Sequence, residues 1–162
     1  ILLGHGIGRI GCLLVGDDYG VPSNLPWAIS LPNGLPVTSI ETFMTHFSFL
    51  GYSREYLQQY LVNNSNNIIS VHPTQIYEMI LYFMFFYLIM RYKKSLQFFT
   101  GSIFCIYLVT GGFSRFIVEF LRTNERYMFN LSSAQYVSLF MVVSGLLLFY
   151  LLKHKKVNNG IN

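Results

Sequence analysis

Charge is what this chain has least of. Charged residues make up 11% of its 162 positions, where a soluble domain carries about 25%. So few charges do not cover a water-facing surface, which excludes an ordinary soluble domain. Cysteine is scarce as well. Cys12 and Cys105 stand far apart in apolar or glycine-rich surroundings, without a CxxC spacing. Neither a disulfide framework nor a zinc site is suggested, and no metal or cofactor is expected. The excess of positive charge is small, at +4. Most of it sits in Arg91-Tyr92-Lys93-Lys94 and Lys153-His154-Lys155-Lys156, both directly after apolar runs. Clusters so placed read as cytoplasmic anchors rather than as a nucleic-acid surface.

What fills the chain instead is apolar: 52% hydrophobic and 17% aromatic residues, with a mean hydropathy of +0.43. Thr74 to Met90 carries only Glu78 as a charge, Phe98 to about Leu121 is apolar up to Ser114, and Leu131 to Leu152 has no charge at all. Each is long enough to cross a hydrocarbon core of about 30 Å. Ile1 to Gly16 is too short for a whole crossing and reads as the end of one. Because the chain opens inside that run without a Met or a basic leader, it reads as a fragment of a longer protein. The expectation is an all-α membrane protein: a multi-span helical bundle of three complete spans plus the end of a fourth, in one membrane-embedded domain over residues 1–162.

Between the first and second apolar segments the pattern changes. Asp17 to Pro36 is rich in turn residues and holds Trp27, an interface aromatic. Ile40 to Leu61 shows helical spacing in two pieces broken at Gly51-Tyr52-Ser53, with Ser53 placed to cap the second. Residues 38–70 are expected to form an interfacial insertion of short helices at the outer face. Asn63 to Asn67 reads as a polar loop, and its Asn63-Asn64-Ser65 sequon carries no weight in this setting.

The conspicuous charges are Arg115, Glu119 and Arg122, spaced i,i+4 and i,i+3, so that a helix puts them on one face. A charge near the bilayer centre costs roughly 2.5–3.5 kcal/mol on insertion scales. Such a cluster either snorkels or lines a polar cavity. A self-neutralising Arg115–Glu119 pair is one reading, but it leaves Arg9 and His72 unexplained. If the two basic clusters are cytoplasmic, then His72, Gln75, Glu78, the Arg115–Arg122 cluster and Ser132–Gln135 all fall at the outer face. The loop after Arg9 meets them there. The glycines around Arg9 admit two further readings. Gly4 and Gly8 form a small-residue pair of the kind that lets helices approach. Gly6-x-Gly8-x-x-Gly11 matches a dinucleotide fingerprint, yet it lacks a preceding strand and the later acidic residue. Arginine is permanently charged and grips phosphate in a bidentate fork. Several arginines at headgroup depth beside glycine-rich backbone suit an anionic phospholipid.

Gly8-Arg9-Ile10-Gly11-Cys12-Leu13-Leu14-Val15-Gly16-Asp17-Asp18-Tyr19-Gly20 resembles the signature loop of bacterial prolipoprotein diacylglyceryl transferases. Leu25-Pro26-Trp27, His72-Pro73-Thr74-Gln75-Ile76-Tyr77-Glu78, Arg115 to Arg122, and Leu131-Ser132 with Gln135 follow in that family's order. The matches span nearly the whole chain apart from residues 38–70. The resemblance implies a multi-pass enzyme of the bacterial inner membrane, its active site facing the periplasm and this chain's C-terminus in the cytoplasm. It implies transfer of the diacylglyceryl group of phosphatidylglycerol to the lipobox cysteine of a prolipoprotein, giving a thioether. The implied partners are that lipid, the signal-peptide lipobox segment and the bilayer. The implied catalytic residues are Arg9 and Arg115 on the phosphate, Glu119 orienting Arg115, and His72. The implied substrate contacts are Arg9, Gly8, Gly11, Gly20, Glu78 and Arg122, the last also readable as an interfacial anchor. Cys12 and Val15 stand where the family usually has Asn, and Gly111 where it usually has Tyr. The family's histidine-glycine motif lies upstream of Ile1. An inactive relative that binds phospholipid or lipoprotein is the alternative. A transporter subunit would need internal repeats, which are not seen.

Overall fold

The chain folds as the sequence pattern demands: apolar runs become helices, and the turn-rich stretch between the first two becomes a compact cap. The computed structural model describes residues 1–62 and 67–158; the Asn63–Asn66 part of the polar loop and its sequon lie outside them. The helices are α1 (Leu2–Val15), α2 (Ile40–Thr45), α3 (Arg54–Gln58), α4 (Thr74–Arg91), α5 (Lys93–Leu96), α6 (Ser102–Val118) and α7 (Ser133–Asn158). Among the described residues there are no strands, only isolated antiparallel bridges such as Gly20 to Arg122 and Pro22 to Val71.

Two helical stretches, Ser102–Leu121 and Ser133–Lys155, are long and apolar enough to cross a membrane. The second apolar run starts later than its sequence suggests because Gly101 adopts a left-handed φ of 95° just before α6. Eighteen-residue α4 is about 27 Å long at 1.5 Å per residue. With Gln75, Glu78 and Arg91 in it, α4 does not reach the same apolarity. Its start follows Pro73, which cannot continue a helix backwards as a donor.

α1 packs on α4, α4 on α6, and α6 on α7. Leu2, Tyr82 and Ile89 form the buried centre of this stack, with Phe85, Phe86, Ile103 and Tyr107 around them. Much of α7 is different: Val137, Phe140, Val143, Leu147 and Tyr150 are exposed, as suits a helix facing lipid. The segment from Tyr19 to Val71 has its own core of Tyr19, Ile40, Phe43, Leu57, Ile69 and Val71. There Ser53 Oγ accepts from the Tyr56 amide at 3.1 Å and starts α3.

Among the described residues the Gly4–Gly8 pair makes no helix contact. A β-carbon at Gly4, Gly8 or Gly11 would meet only open space, whereas one at Gly6 would strike the Phe83 ring. The cause is rotational: α1 turns Leu2, Gly6 and Arg9 toward α4, which places the other glycines on the outside. The close approach of α6 and α7 is made at Gly112, where a β-carbon would lie 2.7 Å from the Ser138 carbonyl and 3.0 Å from Val142 Cγ2. Gly112→Val is expected to destabilise the bundle by about 1–3 kcal/mol through overpacking, measured as a fall in the detergent-solubilised melting temperature.

Candidate active site

The site grows from four chain segments that meet at one end of the bundle. α1 stops at Gly16, whose φ of 74° makes the left-handed cap that turns the chain into the Asp17–Gly20 loop. The first turn of α4 then grips this loop. Thr74 Oγ1 donates to the Asp18 carbonyl at 2.6 Å, and Gln75 Nε2 donates to the Asp17 carbonyl. Gly20 lies at a three-way crossing: its amide donates to the His72 carbonyl at 2.9 Å, and the next amide to the Leu121 carbonyl at 2.8 Å. A β-carbon on Gly20 would come within 2.8 Å of both His72 Cβ and Thr74 Cγ2, so glycine is required.

On this frame sits an alternating set of charges. Arg9 Nε pairs with Glu78, and Arg9 Nη1 donates to Asp18 Oδ2 at 2.8 Å. Asp18 Oδ1 pairs with Arg122 Nη2. Arg122 Nη1 lies 3.6 Å from Glu119 Oε2. Glu119 Oε1 in turn accepts from Asn124 Nδ2 at 2.6 Å and Ser132 Oγ at 2.7 Å. Glu78, Glu119 and Arg122 are all buried, which is tolerable for charges only when they are paired.

Ser132 belongs to a reciprocal cap at the start of α7. Its amide donates to Gln135 Oε1 at 2.9 Å, while its hydroxyl accepts from the Gln135 amide at 3.2 Å. Residues that merely begin a helix therefore also hold a buried carboxylate.

The division of roles differs from the sequence reading in one respect. Glu119 does not pair with Arg115. The α-helix gives way to a 3-10 turn at Glu119–Leu121, and the extended backbone at Arg122 swings that guanidinium back over Glu119. Arg122 is thus a buried member of the network rather than an interfacial anchor. Arg115 makes no ion pair among the described residues, and its Nε is buried without a hydrogen-bond partner. It opens onto a polar cleft of about 420 Å³, lined also by Asp18, Arg122, Asn124, Glu125 and Tyr127.

His72 stands beside the cluster. Its Nδ1 is 3.2 Å from Tyr77 Oη, which also accepts from Trp27 Nε1 at 2.8 Å. Gly8 and Gly11 lie on the open face of α1. Cys12 Sγ is 3.6 Å from Arg9 Nη1. The donor atoms of Cys12, Asp17 and Asp18 lie within 4.8 Å of one another, but both Asp18 oxygens are taken by guanidinium groups. At Gly111 the neighbouring ring is Tyr107, 3.6 Å from the β-carbon position, and its hydroxyl is 3.3 Å from His5 Nε2. Sequence reasoning gave no role to Asn124 or His5, and of Asp18 it read only that, with Asp17 and the glycines, it suggests a polar site around Arg9. For Asp18 there was a signal, since Asp tolerates the left-handed backbone, here φ 58°, in a Gly-Asp-Asp-Tyr-Gly turn.

The family model for prolipoprotein diacylglyceryl transferase matches residues 1–151. The chain belongs to that family. Among curated relatives, the phosphatidylglycerol–prolipoprotein diacylglyceryl transferase of Finegoldia magna is 31% identical over 156 residues, covering 96% of this chain and 48% of the relative. That of Clostridium tetani is 30% identical over 157 residues, covering 96% and 51%. That of Prochlorococcus marinus subsp. pastoris is 32% identical over 180 residues, covering 99% and 51%. The chain spans about half the length of these curated transferases.

Two outcomes follow from this geometry. Ser132→Ala removes the cap and one donor to Glu119 and is expected to cost about 0.5–2 kcal/mol, read by thermal unfolding. Burial lowers the His72 pKa below its ordinary 6.5. The folded chain thus resists a proton that the unfolded chain accepts, so stability falls as pH drops through and below 6.5. His72→Gln is expected to flatten that part of the melting-temperature profile.

Proposed function

We propose that this chain carries the anion-binding half of an enzyme that moves the diacylglyceryl group of phosphatidylglycerol onto the lipobox cysteine of a prolipoprotein. The observation that carries the reading is Arg115: a guanidinium without an ion pair among the described residues, its Nε buried and unpartnered, at the wall of a polar cleft. Arg122 lines the same cleft, and Asp18 joins Arg9 to Arg122. Such a fork suits the phosphodiester of an anionic lipid.

In the reaction a sulfur–carbon bond forms to the glycerol carbon as the carbon–oxygen bond to phosphate breaks, and glycerol phosphate leaves. Negative charge grows on the departing phosphate. Arginines that hold it more tightly in the transition state than in the ground state accelerate the step. The thiol, with an ordinary pKa near 8.5, needs a base, which we place in the part of the family's fold upstream of Ile1. Arg115 and Arg9 bind the phosphate, and Glu119 acts by holding Arg122 and the start of α7. Glu78 holds Arg9, and Gly20 keeps the loop close. His72 fixes the approach to α4 beside the headgroup. Gly8 and Gly11 leave the outer face of α1 open to substrate.

The same reading sets the membrane frame. α4 spans with α6 and α7, and α1 is the end of a further span. The site ends of these helices lie opposite Arg91, Lys93, Lys94 and Lys153, which supports an inner-membrane protein with its site facing the periplasm and the C-terminus of this chain in the cytoplasm. Residues 38–62 and 67–70 rest at the outer interface, where exposed Met44, Phe49 and Tyr56 meet the headgroups.

The test is transfer of labelled diacylglyceryl from phosphatidylglycerol to a lipobox peptide by the full-length protein. Arg115→Ala is expected to lower turnover by roughly 10²–10³-fold without shifting the melting temperature by more than a few degrees. Unchanged turnover in that variant removes the arginine from the mechanism, and a folded wild type without transfer removes the enzyme.

A further inference from the structure

Arg115 and Arg122 line the cleft and Arg9 reaches its edge through Asp18, yet only Arg115 is ready for a ligand. Arg9 and Arg122 are engaged by carboxylates, and these carboxylates are not alike. Glu78 is 1% exposed and Glu119 2%. Each sits on a helix or helical turn and has nowhere to go. Asp18 is different. Its side chain is 38% exposed, it rides on a loop at φ 58°, and it lines the cleft together with Arg115 and Arg122. Its two oxygens reach two different arginines, Oδ2 to Arg9 and Oδ1 to Arg122. A bridging anion with one oxygen on each guanidinium is the geometry that a phosphodiester would take.

The charges balance in a way that favours exchange. Arg9 also has Glu78 and Arg122 also has Glu119, so neither arginine depends on Asp18 alone for a counter-charge. Asp18 carries one negative charge, as does the phosphodiester of a lipid. Replacing one by the other leaves the net charge of the buried cluster unchanged, and the carboxylate that leaves moves into water rather than into the hydrocarbon. The loop backbone need not follow it, because Thr74 and Gln75 hold the carbonyls of Asp18 and Asp17, not the Asp18 side chain.

We propose that Asp18 is an internal stand-in for the lipid phosphate: it bridges Arg9 and Arg122 in the empty site and is displaced by the phosphodiester, which then engages all three arginines. This rests on the reading of the cleft as a phospholipid headgroup site. It makes Asp18 a determinant of lipid affinity that opposes binding, and it keeps the arginines in position between turnovers.

The experiment is equilibrium binding of phosphatidylglycerol to the full-length protein in mixed micelles, with phosphatidylcholine as the reference lipid. Asp18→Asn keeps the shape and the tolerated backbone but loses the charge. It is expected to tighten phosphatidylglycerol binding at least threefold and to lower KM in parallel. Asp18→Gly, which suits the left-handed backbone even better, should do the same. Asp17→Asn removes an equal charge from the neighbouring position without freeing an arginine and should leave affinity within twofold. Weaker or unchanged binding in both Asp18 variants overturns the proposal, as does equal tightening by Asp17→Asn, which would mean diffuse attraction only. Arg115→Ala separates the two levels. If it weakens binding while the Asp18 variants do not tighten it, the headgroup site stands and the exchange falls. If wild type and Arg115→Ala both fail to prefer phosphatidylglycerol over phosphatidylcholine, the headgroup reading falls and the exchange with it.

Discussion

Buried charge organises this molecule. Two arginines and two glutamates sit within or just beyond apolar helices with little or no access to water. An isolated ion in such a place costs several kcal/mol even after relaxation, so each must find its opposite. The partners come from distant parts of the chain: Arg9 from α1 with Glu78 from α4, Arg122 from beyond α6 with Asp18 from the first loop. Pairing them fixes which face of α1 meets α4, how the first loop lies, and where α6 must stop. The close contacts of Gly6 with Phe83 and of Gly112 with Ser138 select the same faces.

The same constraint explains why helix ends here are chemically busy. The reciprocal cap of Ser132 and Gln135 satisfies the first amides of α7 and delivers a hydroxyl to Glu119. The 3-10 turn after Val118 satisfies the last carbonyls of α6 and aims Arg122 inward. Membrane helices must satisfy their polar backbone internally, and the terminal turns are where side chains are recruited to do so. In this chain one of the recruited groups, Arg122, also forms a wall of the polar cleft.

How much of this was legible from sequence depends on the kind of interaction. Helix positions were, because uncharged runs and the residues that stop them are local. The expected run from Thr74 to Met90 and the helix Thr74–Arg91 nearly coincide. Ser53 read as a cap and is one. The charges that matter were visible as anomalies in an apolar background. Their pairing was not. Glu119 lies one turn from Arg115, and only the change of helix type beyond Val118 gives it to Arg122 instead. Nor did spacing tell which glycines are packed: Gly4 and Gly8 have the motif, while Gly6 and Gly112 have the contacts. Rotation of a helix about its axis is a tertiary quantity, set here by one arginine seeking one glutamate.

The crossing at Gly20 bears on which walls of the cleft are held rigid. Three chain segments, from the first loop, the approach to α4 and the end of α6, touch there with no room for a methyl group. A joint that tight behaves as a weld, so the ends of α1, α4 and α6 travel together. Asn124, Glu125 and Tyr127, on another wall of the cleft, lie outside that joint and lead into residues 128–130. Phe129 and Asn130 there hold left-handed backbone and Met128 and Phe129 stand out from the surface. The joint at Gly20 thus gives the cleft a fixed doorpost on one side.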